Sequence, residues 1–416
     1  MSYAMKRFGD LYAVSSRNGL TKPSKVRGSG YKMINMGELF ANDRIYDIPM
    51  EMVPLKETEK VSAKVEVGDL LFARQSLVLE GAGRCSIVLE VSPLTVFESH
   101  LIRVRLVDEA NPLFYYYYFR SPLSPVQSIV SQCAQAGIRG SDLQELEVLF
   151  PPKEIQDRIA SVLEQYDKLI ENNRKQIALL EEAAQRLYRE YFVDLRFPGH
   201  EDVKVIDGVP EGWTRKIVLD CLEMSIGGGW GKESVVGRNV IAGKVIRGTD
   251  INDVKSGEYV NVPLRYHTEN DTQKRALKAN DIVFEISNGN IDNIGRSLLI
   301  DDLILGNCGE NTICASFCKL FRPLDRLHAL LLYLEIQDMN ASGRMMLYKK
   351  QGSNGINNFA FNDFISHEVL VPNKPYHLLL IGRMIEKTSI VREQLSLLKQ
   401  ARDRLLPKLM SGEITV

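Results

Sequence analysis

From residue 151 to residue 192 the chain reads PPKEIQDRIASVLEQYDKLIENNRKQIALLEEAAQRLYREYF, with no Gly or Pro after the opening pair. Ile159, Val162, Tyr166, Leu169 and Asn173 recur at steps of 3 and 4, and so do Ile177, Leu180, Ala184, Leu187 and Tyr191. That is the period of an amphipathic helix with a coiled-coil-like seam. The phase skips once near Asn173, where the seam also turns polar. About 40 helical residues span roughly 60 Å. A second pattern of this kind begins near Leu378, with apolar positions at Ile381, Met384, Val391, Leu395, Leu398, Leu405 and Leu409. Pro407 is expected to end or kink that helix.

The remaining chain is patterned differently. Residues 1–150 carry short strand-like runs such as VEVGDLLFARQ (65–75) and HLIRVRLV (100–107), broken by Gly, Pro and Asn. NPLFYYYYFRS (111–121) reads as helix, which spreads its four tyrosines around the axis and favours packing over base stacking. After the first long helix (151–193), the segment 194–213 is rich in Pro and Gly and reads as a linker. A second mixed region follows over 214–372, and the second long helix occupies 373–416.

The chain repeats itself. VEVGDLLF (65–72) aligns with LKANDIVF (277–284), placing Asp69 over Asp281 and Phe72 over Phe284 at an offset of 212 residues. The same offset sets Glu98 over Glu310 and Leu101 over Ile313. ELEVLFPP (145–152) resembles SHEVLVPN (366–373), and LLEEAAQRLYREY (179–191) resembles LLKQARDRLLPKL (397–409). The pattern predicts an α+β tandem repeat, lobe–helix–lobe–helix, with a pseudo-two-fold axis. Each helix has an apolar stripe to bury, and the other helix, running antiparallel, is the economical partner. Two similar heads on a spacer suit a ligand with two sites, such as duplex DNA, and their divergence implies unlike half-sites.

Composition limits the alternatives. A net charge of −1 and a pI near 6.6 give no global nucleic-acid signature, so any such surface is local. No run of 18 apolar residues occurs and the first residues lack the apolar core of a signal peptide, so a cytoplasmic protein without a membrane span is expected. The six cysteines form no CxxC and no zinc spacing, and read as reduced thiols near buried strands. There is no GxxxxGK[ST] phosphate loop, and IGGGWGK (226–232) reads as a flexible turn rather than a cofactor site. The amino-methyltransferase signature is missing as well. No catalytic or metal-ligating set emerges.

DNA contact requires Lys and Arg for phosphates and polar side chains for base edges. LTKPSKVRGSGYK (20–32) places Lys22, Lys25, Arg27 and Lys32 on a loop without an acid. FARQS ends a strand in Arg74, Gln75 and Ser76, and its repeat partner FEISNGN offers Ser287, Asn288 and Asn290, a substitution that suits two readers of different sequences. Turn chemistry explains those asparagines equally. Further candidates are Arg139 in the first lobe and Lys232, Arg238, Lys349, Lys350, Gln351 and Asn354 in the second. Each also reads as ordinary surface charge. On the first long helix Glu171, Arg174, Glu182, Arg186, Tyr188, Tyr191 and Phe192 lie off the seam, as a solvated face or as a docking surface for partner helices.

The run 151–192 resembles the central conserved region of the specificity (S) subunits of type I restriction-modification enzymes. VPEGW (209–213) looks like the opening of that family's second target-recognition domain, and RDRLLPKLMSGEI (402–414) like its C-terminal conserved end. The resemblance implies a non-catalytic DNA-reading subunit: two target-recognition domains on a bipartite, asymmetric site, and two long helices that set the gap and hold two modification (methyltransferase) subunits. Restriction subunits would join that complex. S-adenosylmethionine, ATP and Mg would belong to partner subunits, with no cofactor in this chain. SHEVLVPNKPYHLL lacks the crisp helix opening of the first half, so the second helix is expected to start later. The rival reading is a coiled-coil scaffold whose lobes bind proteins.

Overall fold

The computed structural model describes residues 3–132, 136–352 and 355–416. The chain mixes helix and strand and divides into two compact units, one of Met1–Leu169 with Leu398–Val416, the other of Ile170–Leu397. Each unit takes one part of each long helix together with its own sheets.

The first unit is built on β1 (Ala4–Arg7), β2 (Tyr12–Asn18), β3 (Leu70–Ala73), β4 (Cys85–Val88), β5 (Leu101–Leu106) and β6 (Glu147–Phe150). The main sheet runs β2-β5-β3-β4, with Arg44–Ile45 at its far edge, while β1 pairs with β6. All four residues of β3 are buried because both faces of the sheet are covered. Leu70 and Phe72 join one apolar cluster, and Leu71 and Ala73 join another, as the two-residue period of a strand requires. Helix α1 (Pro112–Arg120) is set by Asn111, whose side chain accepts from the Phe114 N–H at 3.1 Å, and by Pro112 in the first turn, where no N–H is needed. Phe114 to Phe119 are all buried. The tyrosines therefore pack, and the polar tips of two find partners: the Tyr115 hydroxyl donates to Leu149 O at 3.0 Å, and Tyr117 to Asp167 at 2.8 Å.

The long helices are α2 (Lys153–Tyr188) and α3 (Tyr376–Ser411). Pro151 and Pro152 precede α2, and the buried Gln156 side chain accepts from the Asn111 N–H and donates to Pro151 O, both at 2.8 Å. In the first unit the buried stripe of α2 runs through Gln156, Ile159, Ala160, Leu163 and Asp167. Ile159 lies on it, and Val162 and Tyr166 are half-buried beside it. Leu169, expected in the seam, is 50% exposed. The expected ladder is displaced because α2 packs against the β1–β6 lobe and α1 as well as against the other helix, which rotates the covered face. Arg158 Nη1 donates to Val416 O at 3.0 Å and Arg402 Nη1 to Asp167 at 2.7 Å, so the two helix segments of this unit run antiparallel. Helix α3 continues through Pro407 to Ser411, so the proline does not end it.

The second unit contains β7 (Trp213–Ile217), β8 (Leu222–Gly227), β9 (Ile282–Glu285), β10 (Ser297–Leu299), β11 (Cys318–Pro323) and β12 (Glu368–Pro372). Its main sheet runs β8-β11-β9-β10, and β7 pairs with β12. Helix Arg326–Ala341 starts at Asp325, whose carboxylate accepts from the His328 N–H at 2.9 Å. Its apolar face shares a core with Ala184, Tyr188, Phe192, Leu378 and Ile381, against which Leu187 and Met384 are packed. Tyr188 and Phe192, expected on an outward docking face, are core residues here. The end of α2 and the turn after it place them in this core, where the Tyr188 hydroxyl donates to the buried Glu335 of the helix Arg326–Ala341 at 2.7 Å. Ile177, Leu180 and Leu398 are half-buried, and Val391 and Leu395 fully so. Arg392 Nη2 donates to Glu181 at 2.6 Å.

Equivalent strands carry an equivalent lock. Asp69 is buried and accepts two bonds from Arg105 at 2.7 and 2.8 Å, and Asp281 accepts two from Arg322 at 2.9 and 2.7 Å. Each guanidinium is raised above its ordinary pKa, first through that hydrogen bond. The pairing of Leu101 with Ile313 does not hold. Leu101 opens β5, whose counterpart β11 opens at Cys318. Ile313 instead lies parallel to Val245, as Val96 does to Met33. The helix Asp302–Cys308, inserted after β10, lengthens the offset to 217 residues from Val96 to Ile313 and from β5 to β11. Of the cysteines, Cys85, Cys221, Cys308, Cys314 and Cys318 are free and buried. No described helix is long and apolar enough to cross a membrane.

Candidate nucleic-acid interface

The turn after β3 and the turn after β9 each lead into a small three-stranded patch. In the first unit Gln75–Ser76 pairs with Ala136–Gly137, which pairs with Ser131–Gln132. In the second, Ser287–Asn288 pairs with Asn357–Asn358, which pairs with Lys349–Lys350. Backbone pairing thus assembles candidates that are far apart in sequence. Ser287 and Asn288 come to lie one strand away from Lys349 and Lys350, and Arg139 follows Ile138, whose N–H donates to Arg74 O at 2.9 Å. Arg139, exposed, has no side-chain partner among the described residues.

The polar side chains of the two patches are not equally available. Arg74 Nη1 donates to Ser99 O at 3.3 Å, and Ser76 Oγ accepts from the Val78 N–H at 3.2 Å. His100, which precedes β5, places Nδ1 2.8 Å from Gln75 Oε1. In the second unit Asn288 donates to Glu285 at 2.7 Å and accepts from the Asn290 N–H at 2.8 Å. Asn290 accepts from the Asp292 N–H at 3.0 Å, and Ser287 Oγ donates to Asn358 at 2.8 Å. The asparagines here shape their own loop, which is turn chemistry. Lys349 donates to Asp292 O at 3.3 Å, with burial lowering its pKa, and Lys350 reaches Asp363 at 3.2 Å. Gln351 is exposed, and Asn354 lies outside the described residues.

The loop of residues 20–32 contains no acid, yet the fold brings acids to it. Lys22 pairs with Glu59, Arg27 with Glu51 and Lys32 with Asp47, at 2.6–2.7 Å. Lys25 is exposed and has no ion pair among the described residues. The Lys22–Glu59 pair is largely buried, with side chains 11% and 22% exposed, while the two more exposed pairs are worth about 0–1 kcal/mol each. Lys232 pairs through its backbone with Tyr266, and Arg238 lies exposed in the turn Val236–Asn239. On α2, Arg174, Glu182 and Arg186 are exposed, while Glu171 is partly covered and Tyr191 lies edge-on to His377 at 5.4 Å.

Each patch borders a cavity. In the first unit it measures about 310 Å³ and is lined by Met36, Phe40, Gln75, Ser76, Leu77 and His100. In the second it measures about 410 Å³, and its lining includes Trp230, Gly248, Ser287, Asn288, Phe317 and Ile356. His100, Leu77, Trp230 and Phe317 were missed by the sequence reading. Aligning β5 with β11 sets His100 over Phe317, and that register was the signal. Within IGGGWGK, Gly228 serves a close approach rather than a free turn: a Cβ on it would lie 2.1 Å from Ala315 O, as one on Gly19 would lie 2.0 Å from Phe97 O. Both are close backbone approaches that admit no side chain.

Matching strand order, matching buried locks and matching patches make the two units alike in build. The family model for the type I restriction modification DNA specificity domain matches residues 2–182. Over those residues the chain is similar to that specificity domain. The specificity subunit of the type I restriction enzyme MjaIX from Methanocaldococcus jannaschii is 25% identical over 303 residues, 67% of this chain and 63% of that protein. The EcoKI specificity subunit from Escherichia coli is 27% identical over 165 residues, 39% of this chain and 35% of that protein. The chain spans less than two thirds of the length of these curated relatives. Among solved structures, the type I restriction-modification S subunit from M. genitalium has a TM-score of 0.57, covering 98% of this chain and 96% of that one at 14% identity, a likeness of fold. The resemblance to specificity subunits read from the sequence is borne out.

Proposed function

We propose that this chain is the DNA sequence-recognition subunit of a type I restriction-modification complex, acting on a bipartite, asymmetric target. Residues 1–150 and 214–372 act as target-recognition domains, and the helices of 151–193 and 373–416 form a pseudo-two-fold pair that sets the unread spacing and docks two modification subunits. The observation that carries this reading is the patch after β3 and β9, where the same backbone pairing presents different side chains in the two units. Arg74, Gln75, Ser76 and Arg139 contact one half-site from the first patch; Ser287, Lys349, Lys350 and Gln351 contact the other from the second. Lys22, Lys25, Arg27, Lys32, Lys232 and Arg238 contribute phosphate contacts, and Asn288 and Asn290 hold their loop in shape. Partners grip the polar face of α2 at the exposed Arg174, Glu182 and Arg186 and the partly covered Glu171. Methyl transfer and cleavage, with S-adenosylmethionine, ATP and Mg, belong to the modification and restriction subunits, and the complex works in the cytoplasm.

Footprinting of the full chain on duplex DNA tests this. Two protected blocks with a gap, and an affinity that falls linearly in log–log form with salt, are expected. Lys25→Ala should reduce the salt slope by about 1 without changing the protected sequence. Absent or salt-insensitive DNA binding would overturn the reading and favour a protein scaffold.

A further inference from the structure

The two cavities occupy equivalent places and present different side chains. In the first unit the His100–Gln75 contact fixes roles. An amide oxygen only accepts, so His100 Nδ1 carries the proton and Nε2 of the neutral ring is an acceptor. Gln75 Nε2 keeps its N–H donors, and neither nitrogen has a partner among the described residues. The backbone pairing of Gln75 with Gly137 holds this donor–acceptor couple in place at the cavity. On the same lining Leu77 is 89% exposed, an apolar side chain held in water at the loop tip. At the equivalent position of the second unit Ser287 donates to Asn358 at 2.8 Å, its neighbour Asn288 is satisfied within its loop, and the wall includes Phe317, 56% exposed, with Trp230.

We infer that the first unit's cavity reads one A·T base pair through its major-groove edge, with Gln75 and His100 on the adenine and Leu77 against the methyl of its thymine. The inference rests on the DNA-recognition reading above. Adenine shows an acceptor, N7, beside a donor, N6–H; guanine shows two acceptors, cytosine a donor, and thymine an acceptor with its methyl. Gln75 Nε2 donates to N7 while His100 Nε2 accepts from N6. The thymine methyl lies in the same groove and gives the exposed leucine an apolar partner. His100 and Phe317 are then the positions at which the two units part in specificity, the first by hydrogen bonding and the second by apolar contact.

The test is selection of the full chain on a random-sequence duplex library at fixed salt, read by sequencing. The wild type is expected to enrich a two-part motif. His100→Ala and Gln75→Leu should each erase preference at one A·T position in one half and leave the other half and the spacing intact. Affinity for the wild-type motif should fall roughly 5- to 150-fold. Loss in both halves alike would mean a damaged fold. The exchange His100→Phe, which places the residue found at the equivalent site, then decides by the same single-position criterion. An unchanged motif, or loss at a position that is not A·T, overturns the inference while DNA recognition stands. A wild type that enriches no motif overturns the recognition reading and the inference with it.

Discussion

Asp167 ties three elements of the first unit together, and replacing it is the most discriminating stability experiment the fold offers. Its carboxylate accepts from Arg402 Nη1 on α3 at 2.7 Å and from the Tyr117 hydroxyl on α1 at 2.8 Å. Arg44 Nη1 lies 3.6 Å away, and the Arg44 and Asp167 side chains are each only 5% exposed. Burial acts to lower the Arg402 pKa, but the bond to Asp167 outweighs it and the guanidinium is raised; burial also pushes the Tyr117 phenol up. Asp167→Ala takes the nearer carboxylate from the buried Arg44 and from the Tyr117 hydroxyl, while Arg402 keeps Asp403 and Arg44 keeps Glu164 at 3.8 Å; breaking so buried a network costs about 3–5 kcal/mol. Asp167→Asn keeps an acceptor and should cost about 1–3 kcal/mol. The internal control is Glu181→Ala in the second unit. It also removes a helix–helix pair, to Arg392, but the Glu181 side chain is 47% exposed, so the expected cost is about 0–1 kcal/mol. Urea denaturation followed by circular dichroism, with hydrogen exchange to assign the loss to a unit, measures all three. If Asp167→Ala costs no more than Glu181→Ala, apolar packing alone holds the helices and the argument from buried charge is wrong.

Two further outcomes are expected. Gly228→Ala drives a Cβ to 2.1 Å from a backbone oxygen and should cost about 3 kcal/mol or more. Gly227→Ala, with nothing within 4 Å, should stay within about 0.5 kcal/mol, and equal melting temperatures for the two would refute the close approach. Glu335 is held below the usual carboxylate range: burial acts to raise it, but hydrogen bonds from His367 and Tyr188 and the charge of Arg344 outweigh that. Its folded pKa lies under its unfolded value of about 4.3, so its stabilisation is full above that value and is lost as pH falls through the folded pKa. Exchange protection of Arg326–Ala341 should therefore be flat near neutrality and decline below about pH 5. The decline should be shallower in Glu335→Gln, and an identical acid profile in that variant would count against the linkage.

Periodicity alone determined the two long helices and the burial of the tyrosine run, because a stripe that recurs every 3.6 residues, or six consecutive large apolar positions, has few other solutions in water. The match of Asp69 with Asp281 was likewise legible, since each buried acid ends the same strand-leading turn. What the sequence could not decide was which way a stripe faces when two surfaces compete for it. Leu169 turned outward and Tyr188 inward because lobe packing, not the helix pair alone, sets the rotation of α2. Nor could it show that Lys22, Arg27 and Lys32 meet acids brought from residues 47–59, or that His100 comes to rest on Gln75. Those meetings depend on strand register, and an insertion of a few residues before β11 was enough to misplace it. Local pattern sets which residues are buried; only the tertiary fold sets which polar groups they leave free.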